Sequence, residues 1–130
     1  MLNQEIYESA LRIIGESLTE GENDDYKDRA SYLIAAFCSE AEGLDDSVRA
    51  ICGLEKRADF NPVWVSLDDE FPMVDKLTNA ACLYLAAMLI LEDDPERSDT
   101  LYDRYCDSMS SLRDSFPMTC ESIVNKYGYF

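Results

Sequence analysis

The side chains that could do chemistry in this sequence are carboxylates and thiols, because the chain contains no histidine. Without imidazole there is no histidine general base, no Ser–His or Cys–His nucleophile pair and no imidazole metal ligand. The glycines are scattered singly, and neither phosphate-binding glycine pattern, the P-loop or G-x-G-x-x-G, occurs. The cysteines are too widely spaced to indicate a zinc site. They are Cys38, Cys52, Cys82, Cys106 and Cys120.

Carboxylates are abundant and fall into four short clusters, which are residues 24–25, 45–46, 68–70 and 92–94. None of them matches the D-x-[DN]-x-[DN]-G pattern of a calcium-binding loop. Most precede a predicted helix, where a carboxylate caps the exposed backbone N–H groups. We therefore expect no enzyme, no cofactor and no metal. A carboxylate-dependent enzyme that uses Asp68, Asp69 and Glu70 is the alternative from that class.

The charge balance is strongly acidic, with 27 Asp and Glu against 11 Lys and Arg and a net charge of −16. Phosphate backbones and anionic membrane surfaces repel such a protein. We expect neither sequence-specific nucleic-acid binding nor membrane association. A basic protein surface, or imitation of DNA, fits the charge, although an acidic surface also serves solubility alone.

The cysteines and the first residues of the chain indicate a reducing compartment. The cysteine count is odd and no C-x-x-C pair occurs. The N-terminal segment is acidic and amphipathic, without the basic flank and apolar run of a signal peptide. We expect free thiols in a reducing cytoplasm and no secretion by a signal peptide, with Cys82 and Cys106 buried in helices.

Hydrophobic periodicity predicts an all-α domain, a bundle of four to five helices. The predicted helices cover residues 3–17, 24–43, 46–52, 75–92 and 94–117, with Gly43 as the cap that ends the second. The fourth is apolar on all sides, so other helices must surround it. Its apolar run, residues 80–91, is shorter than the roughly 20 residues that span a bilayer.

Residues 57–70, before the central apolar helix, differ from the rest. Val63, Val65 and Leu67 alternate with Trp64 and Ser66, which is the period of a short strand. A single strand leaves backbone groups unpaired, so it needs a partner from this chain or from another copy. We expect a β-like hairpin or an extended loop. Trp64 then either packs within the monomer or contacts a neighbouring subunit.

The last residues, 118–130, are unusually apolar for a chain end. Terminal segments are normally polar and frayed. We expect this segment either to pack back on the domain or to dock onto a partner. The chain thus divides into a helical domain, residues 1–117, and a C-terminal docking tail, residues 118–130.

Residues 67–109 carry a specific pattern. An acidic L-D-x-x-F-P turn leads into the helix that begins at Asp75, an A-x-x-Y-L-A-A core follows, and an acidic break precedes a helix containing L-Y-D-R-Y. The pattern resembles the small helical head–tail connector proteins, also called adaptor or head-completion proteins, of tailed bacteriophages and prophages. The resemblance is clearest over residues 67–109 and weaker over the first two helices.

The resemblance implies a structural protein of the virion, found in the particle or in the host cytoplasm. Its partners would be further copies of itself in a homo-oligomeric ring, a portal protein above the ring, and tail-completion proteins. The loop of residues 57–70 would face the neighbouring subunit and the tail would dock. The family offers no catalytic residues to carry over. The expected interface residues are Trp64, Val65, Asp68, Asp69, Ile123, Val124, Tyr127, Tyr129 and Phe130.

A small acidic inhibitor or DNA mimic that binds a basic protein is the alternative function. The net charge of −16 motivates it. Such binding would weaken steeply with salt, because exposed charges are screened over roughly 8 Å at physiological ionic strength. Against it, the acidic residues cluster at predicted helix starts and form no evident stripe.

Overall fold

The computed structural model describes residues 1–19, 21–58 and 62–117, and this part of the chain is mainly helical. The helices are α1 (Asn3–Ile14), α2 (Asp24–Cys52), α3 (Thr78–Leu89) and α4 (Pro95–Ser115), with a 3-10 turn (Asp75–Leu77) before α3. Over the same residues no strand forms, and Leu2 and Glu70 make one isolated β-bridge. The all-α bundle with an extended loop before the central helix is confirmed.

Helix α1 is three residues shorter than predicted because Gly15 ends it. Gly15 has a φ of 76°, a left-handed conformation that glycine adopts without a Cβ penalty, and its N–H bonds back to the last turn. At the other end Leu2 is the N-cap, and its N–H donates to the Glu5 carboxylate at 2.8 Å. Asn3 is the first helical residue.

Helix α2 is one continuous helix, so the predicted end at Gly43 and the separate short helix of residues 46–52 are wrong. Gly43 lies inside the helix, and Gly53, with a φ of 71°, is the residue that caps it. An internal glycine costs a helix about 1 kcal/mol. Burial of Leu44 and Val48, which continue the apolar stripe of Phe37 beyond the glycine, outweighs this cost.

Helix α3 is the centre of the bundle and packs against α1, α2 and α4. Its alanines are fully buried, so neighbouring helices approach its backbone closely. It begins through the 3-10 turn, whose N-cap is Val74, so the predicted cap at Asp75 is wrong. At the start of α4 the prediction is confirmed. Asp94 accepts a hydrogen bond from the Arg97 N–H at 3.1 Å, and Pro95 occupies the first helical position.

Phe37 of α2 lies at the centre of an aromatic cluster that joins most of the elements. Its ring centroid is 6.2 Å from that of Phe71, 5.9 Å from Tyr84 in α3 and 6.1 Å from Tyr105 in α4. The Tyr105 hydroxyl donates to Glu40 at 2.9 Å, and burial together with this bond raises the Tyr105 pKa. Phe71 follows directly after the extended segment of residues 62–70, so the cluster also fixes where that segment ends.

The described cysteines should differ sharply in reactivity. Cys38 and Cys82 are buried, whereas Cys52 and Cys106 are exposed, so the expectation that Cys106 is buried is wrong. Burial raises the pKa of Cys38 to about 12 and raises that of Cys82. Because the thiolate is the nucleophile, we expect brief iodoacetamide treatment at neutral pH to label Cys52 and Cys106, and to label the buried pair only after unfolding. Peptide mass spectrometry checks this, and native labelling of Cys38 would contradict it.

Candidate protein interface

The segment of residues 62–70, which we call the arm, lies beside the start of α1. Its backbone is hydrogen-bonded there. The Leu67 carbonyl accepts from the Gln4 N–H at 2.8 Å, and the Asp69 carbonyl accepts from the Asn3 N–H at 2.9 Å. The arm therefore pairs within the chain, with the first residues of α1 in place of a second strand of a hairpin.

The N-terminal part of α2 supports the other end of the arm. The Val65 N–H donates to the Ser31 carbonyl at 3.3 Å. Val65 and Leu67 are buried, with 6% and 9% of their surface exposed. Val63, which belongs to the same alternating set, is 80% exposed because it precedes the first hydrogen bond that holds the arm to α2.

The predicted interface residues have different surroundings in the structure. Trp64 is 54% exposed, and Asp68 and Asp69 are exposed as well. Val65 is in the core, so its side chain supports the arm and is not presented to a partner. The other five lie outside the described residues, and they are Ile123, Val124, Tyr127, Tyr129 and Phe130.

Tyr32 of α2 is a surface residue that the sequence reasoning missed. It is 56% exposed, and it lines the same cavity of about 500 Å³ as Trp64. The available signal was its position off the apolar stripe of α2, where an aromatic side chain must face outward. Tyr32, Val63 and Trp64 thus place three large apolar side chains in water on neighbouring segments.

A second cavity, of about 390 Å³, lies between α1 and the connection from α1 to α2. Gln4, Lys27 and Asp68 line both cavities, so the two adjoin each other. Carboxylates dominate the combined lining, and Lys27 is the one basic residue that the described part of the chain contributes to it. The carboxylates are Glu8, Glu22, Asp24, Asp28 and Asp68.

Asp45 is a fully buried carboxylate near the C-terminal end of α2, with 0% of its surface exposed. One of its oxygens accepts from the Val74 N–H at 2.8 Å. The other accepts from Arg49 Nε at 2.9 Å and from Arg57 Nη1. The expectation that residues 45–46 are carboxylates at a helix start is therefore wrong, because Asp45 is the acceptor of a buried charge network.

The two arginines of this network attach the loop that carries the arm to α2. Arg49 donates to the Glu55 carbonyl at 3.2 Å and to the Pro72 carbonyl at 3.0 Å. Arg57 also pairs with Glu42 at 3.3 Å, and its side chain is 8% exposed. Because the contacts reach both ends of the loop, the network holds the arm in position from outside the arm itself.

Helix α4 carries a stripe of exposed carboxylates opposite its buried face. They follow each other at spacings of three, four, four and seven residues, which places them on one side of a helix. The expectation that the acidic residues form no stripe is therefore wrong for α4. The stripe consists of Glu96, Asp99, Asp103, Asp107 and Asp114.

Within residues 1–19, 21–58 and 62–117, no group of three or more Cys, Asp or Glu side chains is placed to hold a metal ion. Over the same part of the chain, no helix is long and apolar enough to cross a membrane. Comparison with protein-family models, curated proteins and solved structures finds no match to this chain. The surfaces described above are therefore the basis for the functional proposal.

Proposed function

We propose that this chain is a head–tail connector subunit of a tailed bacteriophage or prophage particle. Copies of it would form a ring below the portal, complete the head and join it to the tail. The L-D-x-x-F-P turn and the two helices after it, over residues 67–109, support this proposal by their resemblance to that family. The observation that carries it is the arm, an anchored extended segment that presents Val63 and Trp64 to water.

The arm has the physical properties of a preformed contact. Val63 and Trp64 are adjacent and largely exposed, while Val65 and Leu67 anchor the same backbone in the core. Burying a side chain of this size against a neighbouring subunit is worth about 1.5–3 kcal/mol. Because the backbone from Val65 onward is already hydrogen-bonded to α2 and α1, less conformational entropy is lost when a neighbour binds than for a free loop. Tryptophan is also enriched among the residues that dominate interface energies.

The tail of residues 118–130 is the second proposed contact. It begins three residues after the last residue of α4 and contains six large apolar side chains in thirteen residues. In this proposal the arm contacts the neighbouring copy in the ring, and the tail docks onto the portal protein. Tail-completion proteins then bind the opposite side of the ring.

The acidic stripe of α4 favours a second candidate, an inhibitor or DNA mimic that binds a basic protein. Its five carboxylates extend over residues 96–114, about 27 Å of helix. Arg104 and Arg113 lie on the flanks of α4 by helical periodicity and do not interrupt the stripe. Binding through the stripe would weaken steeply with salt. Binding through the arm would not, because it depends on apolar burial.

Mass spectrometry of particles tests the proposal first. Tailed particles would be purified from the culture that carries the gene, and peptides of this chain would be quantified against the major capsid protein. We expect a low and fixed copy number in every preparation. Absence from intact particles, with the chain abundant in infected cells, would contradict the connector function and favour the inhibitor.

Site-specific photo-crosslinking then separates the two surfaces. A photoreactive phenylalanine analogue would replace Val63 in one variant and Thr100, an exposed residue beside the acidic stripe, in the other. The connector proposal predicts crosslinks between copies of the chain from position 63 in particles. Crosslinks from position 100 to a basic protein, with none between copies from position 63, would instead support the inhibitor.

A further inference from the structure

Tyr32 and Trp64 belong to different segments, α2 and the arm, yet both line one cavity, and each residue is more than half exposed. Its volume of about 500 Å³ falls within the range of roughly 300–1,000 Å³ that ligand-binding pockets occupy. Exposed aromatic surface that lines a concave site commonly marks a binding surface. The shape and lining of this cavity therefore indicate that it binds a ligand or a segment of a partner.

The charges around the cavity indicate that the bound group is a cation. Asp28 and Asp68 line it, and among the described residues neither carboxylate forms an ion pair. The faces of aromatic rings are also electron-rich and attract cations. Arginine fits both features best, because its planar guanidinium stacks on a ring and bonds a carboxylate with two parallel N–H groups.

The two adjoining cavities, which we call the groove, favour an extended chain over a small free cation. They meet at Gln4, Lys27 and Asp68, and three further carboxylates line the second cavity. A segment of several residues that places one cation beside Tyr32 and Trp64 would pass further carboxylates along the same groove. A phosphate-bearing ligand would meet five carboxylates and a single ammonium group, so the charge opposes it.

We propose that this groove binds an extended basic segment of a partner protein. An arginine or lysine of that segment lies against Tyr32 and Trp64 and pairs with Asp28 or Asp68. The proposal goes beyond the connector function and applies to the chain outside the ring, where no neighbouring subunit covers Trp64. It assigns a use to the acidic surface around the arm that apolar contact between subunits leaves unexplained.

Trp64 provides the measurement, because it is the only tryptophan in the chain. The probe is the peptide acetyl-Gly-Ser-Arg-Leu-Arg-Ser-Gly-amide, titrated into the full chain at low salt while Trp64 emission is recorded. The matched peptide carries citrulline, which keeps the planar group but lacks the charge, at both arginine positions. We expect a saturable emission change with the arginine peptide and binding about tenfold weaker with the citrulline peptide. No change at about 10 mM arginine peptide, or equal binding of both peptides, would overturn the proposal.

Charge variants distinguish the groove from general attraction to an acidic protein. Asp28→Asn with Asp68→Asn should weaken binding of the arginine peptide about tenfold. The control, Asp99→Asn with Asp103→Asn on α4, removes the same charge elsewhere and should change it less than about twofold. All four residues are exposed, so the variants should fold, which far-UV circular dichroism verifies. Equal losses in both pairs would overturn the proposal.

Lys27 supplies a variant with the opposite expected sign. Lys27→Gln removes the one ammonium group in the groove lining, so it should strengthen binding of the arginine peptide about two- to fivefold. Weaker binding of the peptide to this variant would contradict a cation site. It would indicate that Lys27 contacts an anionic or carbonyl group of the ligand.

Discussion

Replacing Asp45 by alanine should lower the free energy of unfolding by about 3–5 kcal/mol, a large part of the roughly 5–15 kcal/mol that stabilises a domain. The carboxylate is fully buried and accepts hydrogen bonds from Arg49, Arg57 and the Val74 N–H. Without it, the two guanidinium groups and the amide lose their shared acceptor inside the protein. Leaving buried donors unpaired costs more than the net strength of the bonds they made.

Its neighbour Asp46 is a matched control, because it carries the same charge on the same helix. Its side chain is 43% exposed and lies 3.4 Å from Arg57. Asp46→Ala should therefore cost less than about 1 kcal/mol. Asp45→Asn keeps the shape of the side chain but loses its charge, so its loss of unfolding free energy should lie between those of Asp45→Ala and Asp46→Ala. Urea unfolding, monitored by far-UV circular dichroism, gives the free energy of unfolding of all three variants. An Asp45→Ala protein within about 1 kcal/mol of the parent would show that the network contributes little to stability.

The Asp45→Ala substitution should also alter the proposed interface. Arg49 and Arg57 connect α2 to both ends of the loop that carries the arm, and Asp45 orients both side chains. In the folded Asp45→Ala protein we expect the arm to loosen, with a change in Trp64 emission that Asp46→Ala does not produce. The network of Asp45, Arg49 and Arg57 would thus hold the arm in place for binding, although it does not itself touch the partner.

The parts of the fold that the sequence predicted well are those governed by neighbouring residues. Asp94 followed by Pro95 marks the start of α4 because the carboxylate and the ring both act within the first turn. The apolar run of α3 identifies the central helix because its composition alone requires surrounding helices. The alternation in the arm did not show which of its faces is inward, so Val65 was expected at the interface although it lies in the core.

The parts that were missed depend on contacts distant in sequence. Gly43 is a common helix terminator, and only burial of the residues after it keeps α2 continuous. Asp45 looks like a surface carboxylate until packing brings Arg57 and Val74, 12 and 29 residues away, to its oxygens. Tertiary packing likewise places Tyr32 and Trp64 in one cavity. Local propensity contains no information on which of these partners meet.

Replacing Val63 and Trp64 together by serine should reduce incorporation of the chain into particles by at least about 100-fold while the protein stays folded. Val63 is 80% exposed, but Trp64 is 54% exposed and loses some packing within the monomer, so the unfolding free energy should fall by about 1–2 kcal/mol. In the proposed ring each is buried against a neighbour, at about 1.5–3 kcal/mol each. Every 1.4 kcal/mol lost at an interface is about a tenfold loss of affinity, which gives the expected size of the effect.

The matched control is Ile51→Ser with Leu91→Ser, which removes two half-exposed apolar side chains outside the arm. Each double variant would be supplied from a plasmid to a phage lacking the gene, and infectious titre and copies per particle would be counted. We expect the control to restore both quantities and the arm variant to restore neither, although urea unfolding shows both proteins to be folded and similarly stable. Because folding is measured separately, a normal titre with the arm variant would mean that the arm is not the contact between subunits. Equal failure of both variants would mean that exposed apolar surface in general, and not the anchored arm, is what assembly requires.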